Sequence, residues 1–401
     1  MIPSVPARTW PALLLLGVAS GLPNPLVDAT LQTWLTSAGW SRDTVLLAGY
    51  TTLPYLLKPL WAPMVDRLAM PWLGRRRGWL AATQVAAMAA LAAMALAGDG
   101  RPGWLIGAAV VAALASATQD LVVNAVTASQ PTARLTLAAA WSVWGYRLGM
   151  VAALTLAPLI AATWGWNGAY LVMAALLIPG LVGTLLLPEP AATPPTTWRE
   201  AVTAPLSALA TDHGGAGLAR ILVAVVLYRL ADQMAGAATG RFLAEVYTLD
   251  QLAVGRGTSL VAAGAGAALA AVAAGRIGMG WLLAIGGVAM ALSNLAYVVA
   301  DQGWAPGVQG LMGVLSVDAA CGAFAGTVFV AWLMGLCRPG LAATQYALLS
   351  AVMTVGLQAV RPFVAAVADQ WGWSAFFLIT VAACLPGLLC LLPVARLRAS
   401  R

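Results

Sequence analysis

Charge is what this sequence has least of. Aspartate, glutamate, lysine and arginine make up 9% of its 401 residues, where a soluble domain carries about 25%. It has one histidine, His213, one lysine, Lys58, and four cysteines. Each shortage removes a class of function. No HExxH or GxGD pattern is present and no histidine falls within an apolar run, so zinc-protease and intramembrane aspartyl-protease chemistry lack their parts. Cys321, Cys337, Cys384 and Cys390 lie in or beside apolar segments without metal-ligand or disulfide spacing, and read as small packing residues. The large soluble domain that would cue a transporter-like membrane receptor, the alternative of another class, is not expected either. The expectation is a protein that is not an enzyme, with no catalytic residues, metal or cofactor.

Hydrophobic residues fill the chain instead, at 61% of the total. They come in runs of roughly twenty or more, the length a helix needs to cross a bilayer. The runs are continuous rather than alternating, which excludes a transmembrane barrel. The opening stretch MIPSVPARTWPALLLLGVAS places Arg8 before an apolar run that continues to Leu35. It is therefore read as a retained first span and not as a signal peptide. The net charge of +7 is ordered by position. Arg67, Arg75, Arg76, Arg77, Arg134, Arg199, Arg220, Arg276, Arg338, Arg396, Arg398 and Arg401 fall in alternate loops and the C-terminal tail. The intervening loops carry Arg42 and Arg101 among Asp43, Asp99, Asp250, Asp301 and Asp369. That asymmetry follows the positive-inside rule and places both termini in the cytoplasm. The excess positive charge sets topology and implies no nucleic-acid partner.

Turn and charge signals divide the chain into twelve expected spans. Their limits are 10–37, 44–65, 79–98, 103–130, 133–163, 167–187, 218–246, 252–274, 281–300, 305–336, 340–368 and 373–395. A Pro-, Ala- and Thr-rich stretch interrupts them near the midpoint, giving an N-terminal six-helix bundle at 1–190, a cytoplasmic linker at 191–217 and a C-terminal six-helix bundle at 218–401. An internal repeat supports two related halves: WGWNGAYLVMAALLIPGL at 164–181 aligns without gaps to WGWSAFFLITVAACLPGL at 371–388. Repeated halves are a signature of secondary transporters that alternate around a midplane site. The fold class expected is an all-α polytopic membrane protein of two pseudo-symmetric six-helix bundles.

Ionisable residues inside spans are costly and default to functional hypotheses. Asp28 falls in span one, Asp120 in four, Asp232 in seven and Asp318 in ten. Asp120 and Asn124 are four apart, so they and Gln119 point roughly the same way, and Asp28 with Gln32 repeats the spacing. Buried carboxylates near a movable cation suit proton coupling. The plainer alternative for Asp120 is a static ion pair, for instance with Arg147. Arg229 and Asp232, and Arg241 and Glu245, are spaced to pair along one helix, the second pair reading as structural. Lys58, late in span two, fits either snorkelling to the surface or a gate. GLPNP at 21–25 predicts a bend in span one.

The loop DRLAMPWLGRRRGW at 66–79 resembles the signature loop of the major facilitator superfamily. In that architecture spans one, four, seven and ten line the cavity, and all four aspartates map to them. More broadly, SGLP (20–23), TLQTWL (30–35), LKPLWAPMVDR (57–67), LGRRRGW (73–79), QD (119–120), GYRLGM (145–150), LYRLADQMAG (227–236), ALSN (291–294) and ATQYALLSA (343–351) resemble the AmpG-type muropeptide permeases of that superfamily. The resemblance implies a proton-coupled importer of anhydro-muropeptides (GlcNAc-anhydroMurNAc peptides), serving peptidoglycan recycling from the bacterial inner membrane, with small-molecule solute, protons and lipid as partners and a monomeric state. Lys58, Asp120, Arg147 and Asp232 fall on charged family positions; with the placement of polar groups inside the spans, the expected proton-coupling residues are Asp120, Asp232, Asp318 and Asp28, the expected solute contacts Gln32, Gln119, Asn124, Arg147, Tyr228, Arg229 and Gln345, and the expected gate Lys58, Asp66, Arg75 and Arg76. The sequence also departs from the family. Asn124 and Thr127 stand where it has an acid and a base, Leu357 where it has an arginine with Arg361 one turn later, Asp28 where it has a small residue, and Asp318 where it has a glutamate. These departures bear on the cargo, not the fold, and a siderophore permease is the alternative transport reading.

Overall fold

The computed structural model describes residues 6–98, 100–189, 195–247 and 249–396. Asp99, Arg398 and Arg401 lie outside the described residues, as do the side chains of Arg42, Asp250, Leu357, Arg361 and Arg396. Among the described residues nine helices are long and apolar enough to cross a membrane, and they occur at most of the expected places. One of them, Thr132–Leu186, contains two expected spans, because its helix breaks at Gly165 with φ 71° and ψ 168°. The helix Ala342–Arg396 breaks in the same way at Gly372, with φ 79° and ψ 168°. These are the central glycines of the repeated WGW, and a positive φ is a conformation only glycine takes without strain. The second repeated glycine has another cause. A Cβ on Gly180 would lie 2.4 Å from Ala19 Cβ, and one on Gly387 would lie 2.7 Å from the Leu227 backbone. The repeat therefore encodes a turn, then a close approach of span six to span one and of span twelve to span seven.

One expectation about helix continuity needs correction and another refinement. Span two, read as one helix over 44–65, is a chain of short pieces: Arg42–Ala48, Gly49–Thr52, Leu53–Leu57, Lys58–Leu60 and Ala62–Arg67. Pro54, Pro59 and Pro63 each remove a backbone donor and crowd the preceding turn, so no long ladder forms. The helix of span one is interrupted at GLPNP, ending at Gly21 and resuming at Pro23, but its non-helical dihedrals lie further on. Leu22 keeps helical dihedrals, and the break falls at Asp28 (φ −117°, ψ −101°) between Pro23–Val27 and Ala29–Ser37. Side chains satisfy the carbonyls around that break: the Tyr170 hydroxyl donates to the Leu26 carbonyl at 2.6 Å, and the Thr51 hydroxyl to that of Val27. Such repair is what lets a broken helix persist at membrane depth.

The chain divides into two compact units, Met1–Pro205 with Cys337–Ala347, and Leu206–Leu336 with Leu348–Arg401. In the first, Gly17 and Gly21 of span one pack directly on Gly145 and Gly149 of span five. A Cβ on any of these four would lie 2.0–2.3 Å from a backbone oxygen of the facing helix. Small residues four apart are how helices without a hydrophobic driving force approach closely enough for dispersion contacts. Around Asp28 the core gathers Trp34 between Trp166 and Tyr170. In the second unit an aromatic cluster of Phe242, Tyr297, Trp373, Phe376 and Phe377 does the equivalent work. Exposed tryptophans collect at helix ends: Trp72, Trp104, Trp164, Trp281, Trp304 and Trp371. That is the distribution of an interfacial aromatic belt.

The midchain stretch contains a helix, Trp198–His213. Its start is capped by TTWRE. The Thr197 hydroxyl accepts the Glu200 N–H at 3.1 Å, while the Glu200 carboxylate accepts the Thr196 N–H at 2.7 Å and its hydroxyl at 2.8 Å. Those hydrogen bonds from Thr196 hold the Glu200 carboxyl below its ordinary range.

Candidate functional site

In the first unit the buried polar groups converge on Asp120. This residue sits on the helix Pro102–Ala128. The Ser20 hydroxyl donates to one of its carboxylate oxygens, and Lys58 Nζ lies 3.8 Å from the other. Lys58 does not reach the surface. Its side chain is 14% exposed and turned onto Asp120 from the short turn Lys58–Leu60. Tyr55, one turn earlier, is half-buried beside Ser116, within electrostatic reach of Asp120, Tyr146 and Asp28. The Tyr146 hydroxyl accepts from Asn24 at 3.5 Å. Asp28, at the break in span one, accepts from Gln32 Nε2 at 2.7 Å. A carboxylate with one cation and one hydroxyl around it can exchange its counter-charge between Lys58 and a proton.

Sequence reading missed Ser20, Asn24, Tyr55, Ser116 and Tyr146. Part of the signal was available, since Ser20, Asn24, Asp28 and Gln32 recur every four residues along span one, and Ser116, Asp120 and Asn124 do so along span four. Both are single faces of a helix. The static pair of Asp120 with Arg147 is replaced by the pair with Lys58. Asn124 and Arg147 are half-buried. Gln119 is fully buried, and among the described residues neither atom of its amide has a hydrogen-bond partner.

Four residues expected in the gate separate into two places. Lys58 belongs with Asp120, while Asp66, Arg75 and Arg76 form a buried cluster of their own. Asp66 pairs with Arg76 at 2.8 Å, and its backbone carbonyl accepts from Arg75. Within the same unit its carboxylate also accepts from the Ala343 N–H at 3.2 Å, the Thr344 N–H at 2.8 Å and the Thr344 hydroxyl at 2.7 Å. These N–H groups open the helix Ala342–Arg396, so Asp66 caps it as an acid at a helix start should. Glu189 accepts the N–H groups of Arg76 and Arg77 at 2.7 Å and 3.0 Å, capping span three in the same manner. Gln345 is committed here too. It accepts from the Arg338 N–H at 2.7 Å and donates to the Pro205 carbonyl at 3.1 Å, so both ends of its amide are engaged by backbone.

The second unit has its own polar cluster. Arg229 and Asp232 pair at 2.7 Å, with side chains 21% and 27% exposed. Asp318 accepts from the Ser293 hydroxyl at 3.3 Å and lies against the Tyr297 hydroxyl. Tyr228 is fully buried, stacked on Phe329, and donates to the Leu283 carbonyl at 3.1 Å. It anchors span seven to span nine and turns no group outward. Arg241 pairs with Glu245 as expected and also with Asp369 at 2.8 Å.

A helical bundle with charge clusters inside membrane-length helices, and tryptophans ringing the helix ends, defines a multi-pass membrane transporter. Comparison with known proteins gives the family. The profile of the Major Facilitator Superfamily matches residues 9–221. The anhydromuropeptide permease of Escherichia coli strain K12 is 40% identical over 395 residues, covering 95% of this chain and 78% of that permease. The chain therefore belongs to the Major Facilitator Superfamily, in the anhydromuropeptide permease family. Solved structures agree on the fold. The transporter FucP in its outward conformation superposes with a TM-score of 0.72 at 15% identity, covering 98% of both chains. The proton:xylose symporter XylE follows at 0.68 and 14% identity, covering 95% of this chain and 93% of that one.

Proposed function

We propose that this protein imports anhydromuropeptides from periplasm to cytoplasm across the bacterial inner membrane, by alternating access and at the expense of a proton gradient. The cargo rests on the 40% identity to the Escherichia coli permease over 95% of the chain. The coupling rests on one observation, the Asp120 carboxylate within the membrane between Lys58 and Ser20. When Asp120 takes a proton, Lys58 loses its counter-ion and is free to meet an anionic group of the solute. When Asp120 releases the proton, the ion pair re-forms and the solute leaves. Asp232 with Arg229, Asp318 and Asp28 are the further coupling candidates. Gln32, Gln119, Asn124 and Arg147 are the solute-binding candidates of the first half.

The protein acts as a monomer of two six-helix halves, 1–190 and 218–401, with both termini and the linker in the cytoplasm. The cluster of Asp66, Arg75 and Arg76 is the cytoplasmic gate, and protonation of Asp120 is upstream of its opening. The test is uptake of labelled anhydromuropeptide in a permease-deficient bacterium expressing this chain. Restored uptake that a protonophore abolishes supports the reading. Failure with the protein correctly inserted would turn attention to a metal-chelate cargo.

A further inference from the structure

The helix Trp198–His213 lies outside the membrane-spanning helices, yet it leaves large apolar side chains uncovered. Trp198, Val202 and Leu206 are 50%, 57% and 54% exposed. With successive residues advancing by about 100°, these three occupy a strip roughly 80° wide. On one side of the strip Ala201, Pro205 and Ala208 are buried against the protein, and Leu209, which falls within the strip's arc one turn further on, is buried as well, so the open strip ends at Leu206. On the other come Arg199 and then the exposed Thr203, Ser207 and Glu200. The helix thus has three sectors: one on protein, one apolar and open, one polar and open. A helix facing only protein and water needs no middle sector.

Charge and position identify what covers it. The Arg67 guanidinium sits 4.4 Å from the centre of the Trp198 ring and donates to the Thr196 carbonyl. Arg199 borders the strip from the other side. Indole rings flanked by arginine at the edge of an apolar strip are the composition of a headgroup layer with anionic lipid. The loop carrying Arg67 also carries Trp72, which is 90% exposed, so the strip continues the belt of tryptophans at the helix ends.

We infer that the helix Trp198–His213 lies in the bilayer interface, with Trp198, Val202 and Leu206 among the upper acyl chains and Arg67 and Arg199 on anionic headgroups. The partner is a lipid surface. This goes beyond the transport reading and rests only on the chain spanning a membrane.

The test uses the full-length chain with Cys321, Cys337, Cys384 and Cys390 replaced by alanine. Single cysteines at Val202, Leu206 or Ser207 carry an environment-sensitive fluorophore in vesicles of phosphatidylcholine, with and without phosphatidylglycerol. Emission at 202 and 206 should be blue-shifted and quenched by lipid carrying a nitroxide near the headgroup, while 207 should be quenched by aqueous iodide alone. Phosphatidylglycerol should strengthen the lipid quenching, and Arg199→Gln should remove most of that gain. Equal iodide access at all three positions overturns the inference. So does protection of 202 and 206 from both quenchers, which would mean that another protein segment covers the strip. No solute enters the measurement, so its failure is separable from failure of the transport reading.

Discussion

At Asp120 and Lys58 the two partners of one ion pair are not equivalent. The side chains are 11% and 14% exposed, and removing one partner of a buried pair costs about 3–5 kcal/mol because the other charge is stranded. Lysine can extend toward water along its long stem, whereas Asp120 is fixed to the middle of a helix. Lys58→Met should therefore destabilise the protein by about 3 kcal/mol in detergent melting, and Asp120→Asn by clearly less. The double variant Lys58→Met/Asp120→Asn should recover much of the loss, since no charge is then stranded. Equal costs for the two single variants would mean that the pair is solvated and not a coupling element. A similar argument applies to Asp66. Arg76 is 1% exposed, so Asp66→Ala should cost about 3–5 kcal/mol, read by the same melts. The sequence made Asp120 visible but not its partners. Asp120 stood out as a charge in an apolar run, whereas Ser20 and Tyr55 are unremarkable residue types whose part depends on which helix faces which.

Among the helices, glycines with no neighbours and glycines with backbone neighbours give opposite expectations. Gly145 would put a Cβ 2.2 Å from the Leu14 carbonyl oxygen, while nothing lies within 4 Å of a Cβ on Gly103 or Gly107. Gly145→Ala should cost about 1–3 kcal/mol through overpacking, and Gly107→Ala should be neutral or mildly stabilising in the same melting assay. Gly165→Ala and Gly372→Ala should each cost about 1–2 kcal/mol through the positive φ. The cap on the linker helix carries a pH dependence of defined sign. The folded-state pKa of Glu200 is depressed by Thr196, so its contribution is present above the ordinary glutamate range and lost as pH falls through the lowered value. Hydrogen exchange at residues 198–201 should stay protected, relative to Glu200→Gln, until the pH falls below that range. Most helices were legible from apolar run length alone, and both turn glycines, Gly165 and Gly372, fall in the gaps left between expected spans. Span two was not, because its hydropathy is continuous while Pro54, Pro59 and Pro63 cut its hydrogen bonding. The placing of the non-helical dihedrals at Asp28, beyond GLPNP, is subtler. It depends on Tyr170 and Thr51 receiving the freed carbonyls, and residues far along the chain supply that repair.

At the scale of the whole molecule, membership of the Major Facilitator Superfamily and the 40% identity to an anhydromuropeptide permease leave the cargo and its driving force as the matters for experiment. With Asn124 and Thr127 neutral, Asp120 is the one acid along span four. The proposed coupling is therefore placed first on that carboxylate. The most direct measurement is uptake of labelled anhydromuropeptide into proteoliposomes under an imposed inward proton gradient, comparing the native chain with Asp120→Asn. The native protein should accumulate solute above the outside concentration and lose that accumulation when a protonophore is added. Asp120→Asn, folded and inserted, should show no accumulation with or without the gradient. Gradient-driven accumulation by Asp120→Asn at the native level would remove Asp120 from the coupling role.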